Sequence, residues 1–291
     1  MRILVTGRNG QVARSLAERA ADHDLIFATR PEFDLLDPES IERSVTSVRP
    51  DMVVSAAAYT AVDKAEAEPD IAMAANGVAP GVLARAAARI SAPVVHLSTD
   101  YVFDGRLDRP WREDDPTGPL GIYGASKLAG EQAVAASGAA HVILRTAWVY
   151  SPFGTNFVKS MLRLARERPV LQVVEDQIGC PTSALDIAAA VMIVAESLHA
   201  DPALENKTYH FAASGETNWA DFARAIFAES ERRGGPSAEV VGIPSSDYPT
   251  AARRPANSRL DSARFASAFA HRAPDWRVSL TGVLDRLMPL A

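Results

Sequence analysis

Residues 1–13 constrain the fold more than any other part of this sequence. A short apolar run, Arg2–Thr6, leads into the segment Gly7-Arg-Asn-Gly10-Gln-Val-Ala13, after which a helical pattern begins. Strand, glycine turn and helix in this order form the context of a dinucleotide-binding loop. Gly7 permits a tight turn, and Gly10 lets backbone N–H groups approach a pyrophosphate at the helix N-terminus. The spacing G-x-x-G-x-x-A departs from the usual G-x-G-x-x-G, so a glycine turn without a ligand remains an alternative.

Further apolar, β-leaning runs follow at residues 25–28, 51–58, 93–97 and 141–145, with helical patterns between them. This alternation predicts an α/β fold with a doubly wound, mostly parallel sheet of the Rossmann type in residues 1–150. The spacing is looser in residues 151–291, where short strands are expected near 170–174, 208–211 and 239–242. We therefore expect a smaller C-terminal α+β substrate lobe there, with chain crossings between the two parts allowed.

The end of the second predicted strand reads Ala28-Thr29-Arg30, where a dinucleotide fold usually has an acidic residue that holds a ribose hydroxyl. A carboxylate would repel a 2′-phosphate, whereas Arg30 could pair with one. The sequence thus favours NADPH, with NADH as a second cofactor that the chain could also use. Asp34 and Leu35 follow where an adenine ring could rest. The alternative for Arg30 is a solvated loop arginine.

Tyr123 and Lys127 are four residues apart on a predicted helix, so their side chains share one face. An ammonium one turn from a phenol is expected to lower the pKa of that phenol. Thr99 ends the fourth predicted strand and supplies a hydroxyl that could orient a carbonyl while Tyr123 delivers a proton. The alternatives are an ordinary pair on a helix surface and a strand-end residue that fixes a turn.

The bulk properties exclude several classes of protein. The net charge of −6 and the lack of a Lys/Arg block argue against a nucleic-acid partner. Cys180 is the single cysteine, so no internal disulfide can form. We see no signal peptide and no apolar run long enough to cross a membrane, which predicts a cytoplasmic protein without a membrane partner. No group of His, Cys, Asp and Glu has metal-ligand spacing, so no metal is predicted.

The glycine loop, Ser98-Thr-Asp-Tyr-Val-Phe103 and Tyr123-x-x-x-Lys127 together resemble the motifs of extended short-chain dehydrogenases/reductases. Within that family the chain is most similar to the dTDP-4-dehydrorhamnose reductases. The resemblance covers almost the whole chain. Its more specific marks are AAAYTAVDKAE (56–66), RTAWVY (145–150), DQIGCPT (176–182) and ARRPANSRL (252–260).

The resemblance implies NAD(P)H-dependent reduction of the C4 ketone of a nucleotide sugar, dTDP-4-dehydro-L-rhamnose. The implied catalytic residues are Tyr123 as proton donor, Lys127 and Thr99. The implied cofactor-binding residues are Gly7, Gly10, Gln11, Val12, Arg30, Asp34, Leu35, Ala58, Tyr59, Thr60, Tyr123 and Lys127. The implied substrate-binding residues are Thr99, Asp100, Tyr101, Trp148, which would pack on the sugar, and Arg254, which would hold the diphosphate.

Some relatives are Mg²⁺-dependent dimers that use acidic side chains on the first helix. The corresponding position, expected to be exposed, is Ser15, so a role for Mg²⁺ is uncertain and both a monomer and a homodimer remain open. Two other functions also stay open. One is a nucleotide-sugar epimerase or dehydratase of the same family, which would retain its cofactor. The other is a non-catalytic subunit that resembles the regulatory subunit of methionine adenosyltransferase.

Overall fold

A computed structural model describes residues 1–20 and 22–289; the last two residues of the expected C-terminal lobe lie outside the described part. The strands are β1 (Arg2–Thr6), β2 (Asp24–Ala28), β3 (Met52–Ser55), β4 (Val94–Thr99), β5 (His141–Thr146), β6 (Val149–Tyr150), β7 (Val170–Val174), β8 (Ile178–Gly179), β9 (Thr182–Ser183), β10 (Lys207–His210), β11 (Thr217–Asn218), β12 (Glu239–Ile243) and β13 (Asn257–Ser258). The helices are α1 (Gln11–Arg19), α2 (Pro38–Val48), α3 (Val62–Ala65), α4 (Pro69–Met73), α5 (Ala79–Ala88), α6 (Ile122–Ala135), α7 (Phe157–Ala165), α8 (Ala184–Ala200), α9 (Trp219–Glu231), α10 (Ala263–Phe269) and α11 (Trp276–Leu287).

The main sheet has six strands in the order β10-β5-β4-β3-β1-β2, and every neighbouring pair is parallel. Helices cover both faces, with α1 and α8 packed together on one side and α2 and α5 on the other. The predicted doubly wound parallel sheet is therefore confirmed. The strand order reverses beside β1, and such a switch point opens a crevice at the carboxyl ends of the strands.

The second half of the chain forms a smaller layer and also returns to the main sheet. Its own apolar core lies among α7, α9 and α11 and the paired strands β7 and β12. The strand expected near residues 208–211 is β10, which pairs with β5 at the edge of the main sheet. The division at residue 150 stays a prediction, since α8 and β10 from the second half pack with elements of the first.

A π-helical turn, Ala74–Val78, lies where the sequence shows Asn76-Gly77 between α4 and α5. Helix α6 packs against this turn at very short range, because a Cβ at Gly130 would overlap the backbone carbonyl oxygen of Asn76. The buried Asn76 amide donates hydrogen bonds to the Tyr59 carbonyl at 2.9 Å and to Ser126 Oγ at 3.1 Å. The turn therefore ties the segment after β3 to α6.

One expectation about apolar runs is wrong. The helical stretch Pro69–Ala88 is long and apolar enough to pass as a membrane span by length and composition. The π-helical turn continues the helix through Asn76-Gly77. Of its most apolar window, 67% is buried inside the protein, as in a core helix.

The close contact of α6 with the π-helical turn predicts that Gly130→Ala lowers the free energy of unfolding by about 1–3 kcal/mol, since added atoms in a packed interior force the backbone to shift. Gly282→Ala is the matched control, because that glycine is also helical and no atom lies within 4 Å of a Cβ there. We expect the free energy of unfolding of the control variant to rise by about 0.5–1 kcal/mol. Urea unfolding of the two variants measures both, and equal effects would contradict the close packing.

Candidate active site

The glycine loop has the geometry that a dinucleotide requires. Gly7 adopts a φ of +76°, donates its N–H to the Ala28 carbonyl at 2.8 Å, and would bring a Cβ to 3.3 Å from that of Ala57. Helix α1 begins after Gly10, and no side chain of the described residues caps it. The first N–H groups, including those of Gln11 and Val12, are therefore open to an anion, and the residues present fit a pyrophosphate.

The Gln11 side chain is already hydrogen-bonded to residues between 149 and 156. Its Oε1 accepts hydrogen bonds from Ser151 Oγ at 2.8 Å and Asn156 Nδ2 at 3.0 Å, and its Nε2 donates to the Val149 carbonyl at 3.4 Å. Gln11 can thus reach a pyrophosphate only through its backbone. The same amide fixes the start of α7, since Asn156 caps that helix.

At the carboxyl end of β2, Arg30 is exposed and its Nε lies 2.9 Å from Asp34 Oδ2. Leu35 is half-buried and packs against the core between the sheet and α2. A second exposed arginine was missed by the sequence reasoning: Arg8, in the glycine loop, has its guanidinium 5.9 Å from the centre of the Phe27 ring. Two cations therefore lie near the carboxyl ends of β1 and β2.

The segment after β3 is held by hydrogen bonds rather than by packing. Tyr59 donates its N–H to Asn76 Oδ1 at 2.8 Å and its hydroxyl to Glu68 at 2.7 Å. Ala58 is half-buried and Thr60 is exposed. This segment faces the same strand edge as the glycine loop, because β3 is adjacent to β1 in the parallel sheet.

Tyr123 and Thr99 meet at the carboxyl end of β4. Tyr123 lies in the first turn of α6, is half-buried, and contacts the Tyr101 ring edge-on at 5.4 Å. Burial raises the pKa of Tyr123 to about 12, the nearby Asp100 carboxyl adds to this, and a hydrogen bond with Thr99 partly offsets it. At neutral pH the phenol is therefore protonated, which is the form that donates a proton.

Lys127 is buried one turn below Tyr123. Its ammonium donates to the Leu97 carbonyl at 2.7 Å and lies 3.4 Å from His96 Nε2, and burial lowers its pKa to about 8 while Glu131 acts in the opposite direction. Among the described residues, no hydrogen bond joins Lys127 to the Tyr123 hydroxyl. The expectation that Lys127 lowers the phenol pKa is thus wrong, because the ammonium points to β4 and burial dominates the phenol.

Two further polar atoms lie near this site: a carboxylate oxygen of Asp100, and the hydroxyl of Thr146, which the sequence reasoning missed. Asp100 is 3% exposed, and its Oδ1 accepts a hydrogen bond from Thr99 at 3.0 Å. Its Oδ2 and the hydroxyl of Thr146 are buried without a partner among the described residues. Thr146 is paired in register with Thr99 across β4 and β5. Burial raises the pKa of Asp100 to about 6, partly offset by Ser258 and Thr99.

Trp148 has both ring faces covered. Its indole stacks on Trp219 with centres 3.5 Å apart and planes at 9°. A Cβ at Gly179 would lie 2.5 Å from Trp148 Cε2 and 2.8 Å from Nε1 and Cζ2, which places Gly179 over the ring plane on the other side. Trp148 also has a φ of +49°, a strained conformation that costs about 1–3 kcal/mol and persists only where the surroundings enforce it. Only the rim of this indole faces outward.

Arg254 is held by an acidic partner. Its Nη2 lies 2.6 Å from Asp63 Oδ2 and its Nη1 3.2 Å from Oδ1, so the pair is bidentate. Asp63 also accepts the Ala252 N–H, and its hydrogen bond with Arg254 lowers its pKa. Nearby, Glu66 Oε1 accepts the Ile122 N–H at 2.8 Å and holds the start of α6.

The expected exposed position on the first helix is also wrong. Ser15 is fully buried and its hydroxyl donates to the Gln11 carbonyl at 2.9 Å, because α8 from the second half of the chain covers α1. In the described part of the chain, no three or more His, Cys, Asp or Glu side chains form a group that could hold a metal ion.

Comparisons with known proteins cover nearly the whole chain. Residues 1–288 match the family described as the RmlD substrate binding domain. The dTDP-4-dehydrorhamnose reductase of Sinorhizobium fredii is 48% identical over 281 residues, which are 96% of this chain and 95% of that protein. The solved dTDP-4-dehydrorhamnose reductase of Clostridium acetobutylicum has a TM-score of 0.90 at 34% identity and covers 99% of both chains. That of Bacillus anthracis, in complex with NADP, also has a TM-score of 0.90, at 32% identity over 98% of this chain and 99% of its own.

The raised pKa of Asp100 predicts a pH-dependent stability. Between pH 3.8 and about pH 6, the folded protein binds more protons at Asp100 than the unfolded chain does. The contribution of this carboxyl to the free energy of unfolding therefore falls as the pH rises through that window. We expect Asp100→Asn to raise the free energy of unfolding near pH 7 by up to roughly 3 kcal/mol, at about 1.36 kcal/mol per pKa unit, with a smaller gain toward pH ~4.

Chemical unfolding at several pH values measures this effect. Asp108→Asn, which changes an exposed carboxyl, is the control and should show no such pH dependence. If Asp100→Asn raises the free energy of unfolding equally at all pH values, the raised pKa of Asp100 is contradicted.

Proposed function

Because the chain belongs to the RmlD substrate-binding-domain family, we propose that it reduces the C4 ketone of dTDP-4-dehydro-L-rhamnose with NADPH to give dTDP-L-rhamnose. The observation that carries this proposal is the placement of a protonated Tyr123 beside Thr99 at the strand edge that the glycine loop shares. The near-complete coverage of relatives with this name supports it, and so does the NADP bound to the Bacillus anthracis relative.

Bound NADPH supplies the hydride. Negative charge then develops on the ketone oxygen, and the Tyr123 hydroxyl donates a hydrogen bond to it. Thr99 donates a second one once its hydroxyl turns away from Asp100 Oδ1. Tyr123 transfers its proton to this oxygen. An alkoxide is a far stronger base than a phenolate, so a phenol with a raised pKa still donates, and its high pKa keeps the proton in place until charge appears.

We assign Lys127 to the nicotinamide ribose. An ammonium has three N–H donors, and Lys127 uses one for Leu97 and directs a second at His96, which leaves one for the ribose. Residue by residue, the proposed cofactor contacts are those of Gly7, Gly10, Gln11, Val12, Arg30, Asp34, Leu35, Ala58, Tyr59, Thr60, Tyr123 and Lys127.

The sugar nucleotide lies against Thr99, Asp100 and Tyr101, with the rim of Trp148 beside the sugar and Arg254 at the diphosphate. Arg254 can bind the diphosphate in two ways. Either its guanidinium keeps the ion pair with Asp63 and contacts the diphosphate as well, or it leaves Asp63 to bind the diphosphate. We further propose a cytoplasmic enzyme that binds neither nucleic acid nor a membrane and works as a monomer or homodimer.

The decisive experiment follows the absorbance of reduced cofactor with purified protein, dTDP-4-dehydro-L-rhamnose, and NADPH or NADH side by side. We expect stoichiometric oxidation of NADPH and formation of dTDP-L-rhamnose. An epimerase or dehydratase would convert a nucleotide sugar without net consumption of the cofactor. A regulatory subunit would show no turnover and would co-purify with a synthetase.

Tyr123→Phe should lower kcat by about 10²–10⁴, the usual contribution of a general acid. It should leave the dissociation constant of NADPH, measured by fluorescence, nearly unchanged. Lys127→Met should weaken NADPH binding and lower kcat, because the ammonium that holds the ribose also fixes the position of the nicotinamide. Near-full turnover of Tyr123→Phe would overturn the role given to this phenol.

Arg30→Ala should raise the KM for NADPH roughly tenfold, the equivalent of one charge-assisted hydrogen bond, and leave the KM for NADH unchanged. Arg43→Ala is the matched control, since this arginine is also exposed and ion-paired, but lies on α2. If the KM for NADPH stays unchanged in Arg30→Ala, the 2′-phosphate is held elsewhere, and Arg8 is the next residue to test.

A further inference from the structure

A buried ion pair lies directly below the proposed catalytic residues. Arg145 on β5 and Glu131 on α6 are bidentate, with Nε to Oε1 at 2.9 Å and Nη2 to Oε2 at 2.7 Å. Their side chains are 6% and 5% exposed. Ser98 Oγ donates to the same Oε1 at 2.5 Å. A buried charge pair contributes little net stability compared with an apolar pair of similar shape. Stability alone therefore does not explain why the protein has this pair.

The pair is anchored on the opposite side by a neutral histidine. His210 Nε2 lies 3.5 Å from Arg145 Nη1, and His210 Nδ1 lies 3.0 Å from the Trp111 carbonyl. A carbonyl accepts only, so Nδ1 carries the proton and Nε2 accepts from Arg145. Burial lowers the pKa of His210 to about 3, which keeps this arrangement neutral at working pH. Arg145 is therefore fixed, and it fixes Glu131.

Glu131 continues the face of α6 that carries the proposed catalytic side chains. Tyr123, Lys127 and Glu131 follow one another at intervals of four residues, so they stack along one side of the helix. Glu131, which accepts the hydrogen bond from Ser98, thus lies on the same helix as Lys127. Ser98 immediately precedes Thr99 in the sequence. One carboxylate links the end of β4 to α6 at the level of the proposed active site.

Glu131 is also the charged group that acts on Lys127 against the effect of burial. The other titratable or charged side chains on elements packed against α6 are Asp63 and Lys64 on α3, Asp70 on α4, Arg85 on α5, His96 on β4, Asp100 and Tyr101 in the turn after β4, and His141 and Arg145 on β5. Burial lowers the pKa of His96 well below its usual value, so His96 is neutral and adds no charge next to Lys127.

We propose that Glu131 is a positioning residue for the reduction: its carboxylate, locked by Arg145 and Ser98, sets Thr99 and Lys127 in register with Tyr123 and keeps a negative charge one helical turn from Lys127. This inference rests on the proposed function. It assigns Glu131 an effect on the ionisation of Lys127 in addition to its effect on the fold.

The test is the pH profile of kcat/KM in Glu131→Gln, which keeps the shape and an acceptor oxygen but loses the charge. Loss of a nearby negative charge makes the ammonium easier to deprotonate, so the alkaline limb should move to lower pH by about one unit or more. The alkaline limb of NADPH binding, followed by fluorescence, should move in the same direction. Ser98→Ala is the control, because it removes a hydrogen bond and keeps both charges, so its limb should stay at the wild-type pH.

Glu131→Gln leaves Arg145 buried without a counter-charge and could unfold the protein, so Glu131→Gln/Arg145→Gln serves as the second variant. This double variant removes both charges, and its thermal unfolding should lie closer to wild type than that of the single variant. A displaced alkaline limb in the double variant supports the proposal. A limb at the wild-type pH in a folded double variant overturns it, since the pair would then be structural only. A wild-type protein that oxidises no NADPH overturns the proposed function itself, and with it this inference.

Discussion

All six strands of the main sheet point the same way, and this common direction places the glycine loop and the Thr99–Tyr123 pair of the candidate site. Parallel strands bring their carboxyl ends to one edge, so segments that are far apart in the sequence converge there. The glycine loop after β1, the Tyr59 segment after β3, Thr99 at the end of β4 and Thr146 at the end of β5 share that edge. Helix α6, which carries Tyr123 and Lys127, begins at the same edge, where Glu66 holds its first N–H.

Burial rather than local charge pairing sets the proton affinities of the site. It raises the pKa of Tyr123 and of Asp100 and lowers that of Lys127. The first shift suits an acid that must keep its proton until the ketone is reduced. The third brings an ammonium close to the neutral range, where a single neighbouring carboxylate decides how far it stays charged. The three groups therefore depend on the same exclusion of water.

Much of the fold was open to prediction, because the runs that became β1 to β5 are apolar and separated by regular helical patterns. The position of β10 was also predicted, but its partner β5 was not, since strand pairing depends on contacts that no local pattern encodes. In the site, helical periodicity placed Tyr123 and Lys127 on one face. It could not show that the Lys127 ammonium turns to the Leu97 carbonyl.

The other departures arise in the same way, from partners distant in the sequence. Trp148 is stacked between Gly179 and Trp219, and Arg254 is paired with Asp63. Ser15 is buried because α8 covers α1. Each of these contacts joins the first half of the chain to the second, and the sequence pattern of either half alone contains no trace of it.

The Gln11 amide has a consequence for motion. One side chain at the first turn of α1 holds Ser151, Asn156 and the Val149 carbonyl, and Asn156 in turn starts α7. Helix α1 and the start of α7 are therefore joined through one amide side chain. A displacement of α1 on binding of an anion at its N-terminus would therefore be transmitted to the first turn of α7.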